Sequence, residues 1–241
     1  MGLTEPDFWQ LVGFGPRGWG DAMLSGALMT LAVAACGFLV GALIGIFVAF
    51  AKIGGGRVAR RAADAYTTVL RGIPDLLVIY LFYFGGSSIL TPAAHLLGAT
   101  GFVSLPGFVA GSLAIGIVCG AYHAEVFRGA FRAVGRGELE AAEAVGMPGF
   151  LRFRRIVAPL ALRHALPGLG NVWQLVLKES ALVSVTGVVE LLRQAQIGAG
   201  STREPFDFFI AAAALYLAIT SLSGFALERF ERRLNRGMRR A

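Results

Sequence analysis

Two ionisable residues stand side by side in an otherwise apolar stretch, NVWQLVLKESALVSVTG: Lys178 and Glu179. Successive residues of a helix point about 100° apart, so these two cannot pair neatly with each other. Each needs another partner. A positive and a negative side chain facing a small cavity near a membrane centre complement the carboxylate and ammonium of a free amino acid. Charges on other helices of the same complex would serve as well, and composition alone leaves both readings open.

Other ionisable residues in apolar segments have local partners in reach. Arg71 and Asp75 lie four apart in RGIPD, with Pro74 between them disturbing the helical ladder. Glu125 and Arg128 lie three apart, a spacing that suits a local ion pair. His95, His123 and His164 have no zinc-site spacing, and HAEVF is not HExxH. Cys36 and Cys119 read as small buried residues. The chain has no G-x-x-x-x-G-K-[ST] loop to cradle a nucleoside triphosphate and no G-x-S-x-G nucleophile elbow. An intramembrane enzyme would need a nucleophile–base or metal spacing that the chain lacks. If it drives active transport, the energy comes from a partner.

The elements that position these residues follow from composition. Of 241 residues, 56% are hydrophobic and only 15% charged, and the mean hydropathy is +0.66. The 30 residues from Ala22 to Ala51 contain no Asp, Glu, Lys, Arg or His. About 20 apolar residues suffice to cross the hydrocarbon core, so the chain reads as an all-α integral membrane protein. Its 33 glycines suit close helix packing in lipid. Glu5 and Asp7 stand where a cleavable signal would be basic, so no signal peptide is expected. Trp9, Phe14 and Trp19 flank the first span as interfacial anchors. Five spans are expected, over residues 21–51, 63–86, 107–127, 159–191 and 206–227. The expected organisation is an outer N-terminal segment (1–20), one transmembrane domain (21–233) and a basic cytoplasmic tail (234–241).

Lys and Arg in the connections set the orientation. The first link has Lys52, Arg57, Arg60 and Arg61; the second, 87–106, has none. The third has Arg128, Arg132, Arg136, Arg152, Arg154, Arg155 and Arg163; the fourth has only Arg193 and Arg203. The tail is again arginine-rich. This alternation puts the N-terminus outside and the C-terminus inside. The net charge of +7 is thereby a topology signal dispersed over three links, and no nucleic-acid partner is implied.

The third link contains ELEAAEAVGMPGF, residues 138–150. Glu138, Glu140 and Glu143 load the N-terminal part of a short helix, where its dipole favours anions, and Gly146 with Pro148 stops it. Ala141, Ala144 and Val145 form a side that another surface can approach closely. At about nine residues such a helix does not hold alone in water, so it must dock. Glu140-Ala141-Ala142, then Gly146, Ile156 and Ala158-Pro159, match the cytoplasmic loop signature of permease subunits of binding-protein-dependent ABC importers. Ala158 stands where the signature has Leu. With YTTVLRGIPDL (66–76), GAYHAEVFRGAF (120–131), ALPGLGNVWQLVLKESALVS (165–184) and STREPFDFF (201–209), the chain resembles the polar amino acid permease family from about Gly26 to Arg233. Within it the chain is most similar to the Q-type subunit of the histidine/lysine–arginine–ornithine and octopine/nopaline importers.

The resemblance implies the type I importer permease fold in the bacterial inner membrane, with five spans and the N-terminus outside. It implies a pore shared with a second, M-type permease, two ATPase subunits that carry ATP and Mg, and a periplasmic amino-acid-binding protein. The chain itself would hold no cofactor and no metal and would not be an enzyme. The helix at about 138–146 becomes the coupling helix seated on the ATPase, with Glu140, Ala141, Ala142, Gly146, Ile156 and Pro159 as the coupling residues. Lys178 takes the substrate carboxylate and Glu179 its ammonium, while Glu125 and Asp75 are candidates for a cationic side chain. A facilitator or channel is the alternative, and it has no need of a docking helix.

Overall fold

The computed structural model describes residues 8–16, 18–96 and 98–234; Glu5, Asp7 and the tail from residue 235 onward lie outside them. The described residues contain helices and no strand. The helices are α1 (Phe8–Val12), α2 (Gly20–Gly54), α3 (Arg57–Leu70), α4 (Asp75–Leu96), α5 (Gly107–Ala133), α6 (Arg136–Ala144), α7 (Ala158–Glu179), α8 (Leu191–Thr202) and α9 (Pro205–Leu234).

The frame is the parallel pairing of α2 with α5, the most extensively packed pair in the fold. Gly37, Gly41 and Gly45 recur every four residues on α2 and meet Ile115, Cys119 and His123 of α5. The approach is close in both directions: a Cβ at Gly116 would lie 2.7 Å from Val40 Cβ. Small residues let two backbones meet in lipid, where tails are as apolar as leucine and dispersion decides the contact. Around this seam Val33, Ile79, Ile115, Val118, Val176 and Leu177 form the core. A second core joins α2, α8 and α9 through Met23, Ala27, Leu191, Ala195 and Phe208.

Against the five spans expected, four helices among the described residues are long and apolar enough to cross a membrane: α2, α4, α5 and α9. The shortfall is α7, which carries Arg163, His164, Asn171, Gln174, Lys178 and Glu179. It runs back between the two ends of the α2–α5 pair. Phe153, in the π turn before it, sits at Phe50 and Phe131, and Thr186, in the 3-10 turn after it, bonds the Gly107 carbonyl at 3.2 Å. Packed along α5, α2 and α9, it does not need an apolar surface all round.

The second expected span is also displaced. The expected range is 63–86, but the chain breaks at Arg71–Pro74 and the apolar helix runs 75–96. Pro74 has no N–H to continue the ladder and pushes Ile73 out of the helical region, so α3 ends and α4 begins anew. The link expected from residue 87 is helical to Leu96. Beyond it the chain folds back, with Val103 N donating to Thr91 Oγ1 at 3.1 Å and Leu105 N to Ser87 Oγ at 2.9 Å. At the N-terminus Trp9 and Phe14 are exposed as expected of anchors, whereas Trp19 packs edge-on against Phe208, 5.6 Å between centroids. Cys119 is buried, but Cys36 is exposed, contrary to expectation.

Glu190 pins three helices together. It is fully buried, caps α8 by accepting from Leu192 N and Arg193 N at 2.8 Å each, and takes the Tyr216 hydroxyl of α9 at 2.9 Å. Thr30 of α2 accepts from Leu191 N at 3.1 Å beside it. Glu190→Ala strips a cap and leaves buried donors without an acceptor, so a stability loss of about 2–5 kcal/mol is expected. Denaturant unfolding in detergent measures it, and Glu190→Gln recovers most of the loss.

Candidate functional site

The end of α7 sends its two charged residues in different directions. Lys178 is exposed on this chain, whereas Glu179 is buried at 7% relative exposure. A shared cavity for both therefore does not close within the chain alone. Glu179 Oε2 has no hydrogen-bond donor from the protein, and the carboxyl of Asp75 lies within hydrogen-bonding reach of Glu179. Asp75 is brought there by the Pro74 break, which starts α4 at this residue. Two carboxyl groups facing each other, that of Glu179 buried and that of Asp75 half-buried, form a centre of negative charge that a cation completes.

The expected Arg71–Asp75 pair does not form among the described residues. The break removes the one-turn register that would bring them together. The Arg71 guanidinium stands instead 5.3 Å from the centroid of the Tyr122 ring of α5. No spacing in the sequence marks Tyr122 as a partner of Arg71, 51 positions away. His123 is fully buried, and its Nδ1 meets the Cys119 carbonyl at 2.8 Å, as a structural histidine does.

Glu125 is committed elsewhere. Arg128 Nη2 reaches its Oε2 at 2.5 Å, the local pair expected from spacing. Its other oxygen accepts from Lys52 Nζ at 2.6 Å, a partner 73 positions away that no local pattern announces.

The second constellation gathers the spaced motif residues. The acidic helix is α6, Arg136–Ala144, two residues earlier than the expected 138–146. It closes through Gly146, which adopts φ 71°, with Gly146 N bonded to Glu143 O at 2.9 Å and Met147 N to Ala142 O at 3.1 Å. That left-handed residue is where glycine is favoured at a helix end. Glu143 pairs with Arg152 across the turn. Ala142 is buried inward, while Glu140, Ala141 and Ala144 are exposed and Val145 is 76% exposed. A groove of about 490 Å³ opens between α6 and the start of α7, lined by Glu138, Ala141, Ala142, Val145, Ile156 and Pro159 among others. Residues as far apart in sequence as Ala141 and Pro159 thus share one surface.

Residues 41–240 match the family described as binding-protein-dependent transport system inner membrane component. The chain belongs to this family. The permease is 58% identical over 231 residues to the octopine transport system permease protein OccQ of Rhizobium meliloti, covering 96% of this chain and 98% of that one. It is 39% identical to the histidine/lysine/arginine/ornithine transport system permease protein HisQ of Escherichia coli K12, covering 93% and 98%. Among solved structures it is similar to an amino acid ABC transporter crystallised with histidines, at TM-score 0.75 and 35% identity, covering 89% of this chain and 95% of that one. The permease therefore has the all-helical type I ABC importer permease fold and is a multi-pass protein of the inner membrane. It is the membrane subunit of an importer, not an enzyme, and its ATPase is a separate chain.

Proposed function

We propose that this permease carries basic amino acids (histidine, arginine, lysine or ornithine) or their opine derivatives inward across the membrane. The observation that carries the reading is the pairing of buried Glu179 with half-buried Asp75, in which Glu179 Oε2 lacks a donor within the protein. A substrate ammonium or guanidinium supplies the missing donors, and Lys178, one position away, takes the substrate carboxylate as a point charge. Lys178 is exposed on this chain, which fits a substrate path shared with a second permease. The partner is an M-type chain in a heterodimer. Glu125, bound to Lys52 and Arg128, then acts on the substrate only indirectly, by fixing the inner end of α5.

The rest of the assembly follows the same reading. The ends of α2, α5 and α9 that carry Lys52, Arg128, Arg132, Arg232 and Arg233 face the cytoplasm, and the uncharged stretch 98–106 faces outward. Residues 21–233 act as one transmembrane domain between an outer N-terminal segment and a basic inner tail. Helix α6 is the coupling helix, presenting Glu140 and Ala141 to an ATPase while Ala142, Ile156 and Pro159 seat it and Gly146 ends it. Two ATPase subunits hold ATP and Mg, and a periplasmic amino-acid-binding protein delivers substrate. In proteoliposomes the full complex should hydrolyse ATP faster when its binding protein is loaded with L-arginine, L-histidine or octopine. Flux through this chain alone, without ATPase, would instead identify a facilitator. Lys178→Ala is expected to lower uptake about tenfold, the worth of one lost charge-assisted contact, with assembly intact. Wild-type uptake in that variant removes Lys178 from the substrate path.

A further inference from the structure

One buried lysine joins three helices at the end of the bundle nearest α6. Lys52 is 8% exposed and sits in the last turn of α2. Its ammonium donates to Glu125 Oε1 on α5 at 2.6 Å and to Thr67 Oγ1 on α3 at 2.6 Å, and it pairs with Asp64 Oδ1 on α3 at 3.0 Å. An ammonium has three protons, and these three acceptors match them. Arg128 closes the other side of Glu125 with contacts of 2.8 and 2.5 Å. A second bond fastens α3 to α5, from the Tyr66 hydroxyl to the Ile117 carbonyl at 2.5 Å.

The position of this centre matters more than its strength. Only Val134 and Gly135 separate α5 from α6, so displacement of α6 acts directly on the inner end of α5. That end is gripped by an aromatic cluster, with Phe50 of α2 5.3 Å from Phe131 of α5 and 6.0 Å from Phe153 of the π turn before α7. Glu125 and Arg128 lie one to two turns further along α5. Across Lys52 the path enters α3 at Asp64 and Thr67, and α3 runs to the Arg71–Pro74 break that presents Asp75.

We propose that Lys52 is a positioning residue for coupling, the joint that makes α2, α3 and the inner end of α5 move as one body. The inference rests on the transport reading above. A buried ammonium stripped of its acceptors is costly, so the three helices either travel together or the joint breaks outright. Such all-or-none joints turn a small shift at one site into a rigid-body change at another. Motion of α6 thereby reaches the residue that pairs with Glu179.

The test uses the whole complex in proteoliposomes, with its binding protein loaded with L-arginine, L-histidine or octopine. Lys52→Met keeps the stem and removes the charge, while Glu125 stays paired with Arg128. The expected result is substrate moved per ATP lower by about fivefold or more, the low end of a coupling between sites, with unstimulated hydrolysis within about twofold of wild type. Lys52→Arg restores most of the ratio. A merely structural lysine would change melting and yield but not substrate moved per ATP in the complexes that assemble. An unchanged ratio in Lys52→Met overturns the proposal. Where Lys52→Met fails to assemble, Asp64→Asn, at a side chain 57% exposed, is read in its place, and an unchanged ratio there overturns it too. A wild-type complex that shows no stimulation by the loaded binding protein overturns the transport reading and the joint with it.

Discussion

Glu179→Gln is expected to stop uptake without unfolding the permease. The two effects separate because of what surrounds the carboxyl. A buried carboxylate held by donors loses stability when it is neutralised, since the donors are stranded. Glu179 Oε2 has no protein donor, and its carboxyl faces that of Asp75. Removing one of two adjacent like charges strands no donor there and relieves repulsion. Unfolding in detergent should therefore start at the wild-type denaturant concentration or above it. Uptake behaves in the opposite way. The substrate cation loses one of the two acids that complete its desolvated contact, a charge-assisted bond worth about 1.5–3 kcal/mol, or roughly 10–100-fold in affinity. Labelled uptake into proteoliposomes at limiting binding protein reads the loss, and Asp75→Asn should follow the same direction. Full uptake in Glu179→Gln would remove the acid pair from the substrate path, and loss of folded protein would make it a structural pair.

Part of this site is legible in the sequence and part is not. That Lys178 and Glu179 diverge follows from helix geometry alone, as does the Glu125–Arg128 pair at one-turn spacing. Local spacing misleads at Arg71 and Asp75, because Pro74 ends one helix and begins another between them. The proline was visible, but whether it bends a span or breaks it depends on packing beyond the segment. Contacts between distant segments leave no pattern at all: Lys52 meets Glu125 across 73 positions, and Thr30 meets Leu191 across 161.

The fold divides in the same way. Helices α2, α4 and α9 leave most of their apolar spans exposed, and their apolar runs announce them. Helix α7 is sheltered by α2, α5 and α9, so it tolerates arginine, histidine and glutamine and escapes an apolar count. The loop motif is the converse case. Its residue types are spaced over twenty positions in the sequence, from Glu140 to Pro159, yet four of them, Ala141, Ala142, Ile156 and Pro159, line a single groove. Spacing carried that information because a helix, a glycine stop and a second helix start have fixed lengths.

The exposed end of α6 gives the other large effect. Val145→Asp is expected to detach the ATPase while the permease stays folded. Val145 is 76% exposed and its neighbours Ala141 and Ala144 are also open, so nothing in this chain rewards an apolar side chain there. If the ATPase covers this face, wild-type docking buries the valine, worth about 1.5–3 kcal/mol, and the aspartate adds a charge that must be desolvated. Co-purification with the ATPase should fall by roughly 10–100-fold or more, and uptake with it. Gly146→Val reaches the same end by another route. Gly146 holds φ 71°, where a side chain costs about 1–2 kcal/mol and a β-branched one more, so the turn that aims α6 is distorted although a Cβ there would meet open space. Its signature differs: the ATPase still binds, but loaded binding protein no longer speeds hydrolysis. Together the two variants separate a face that makes the contact from a turn that orients it. An unchanged complex and unchanged uptake in both would leave α6 as no more than a cap on the bundle.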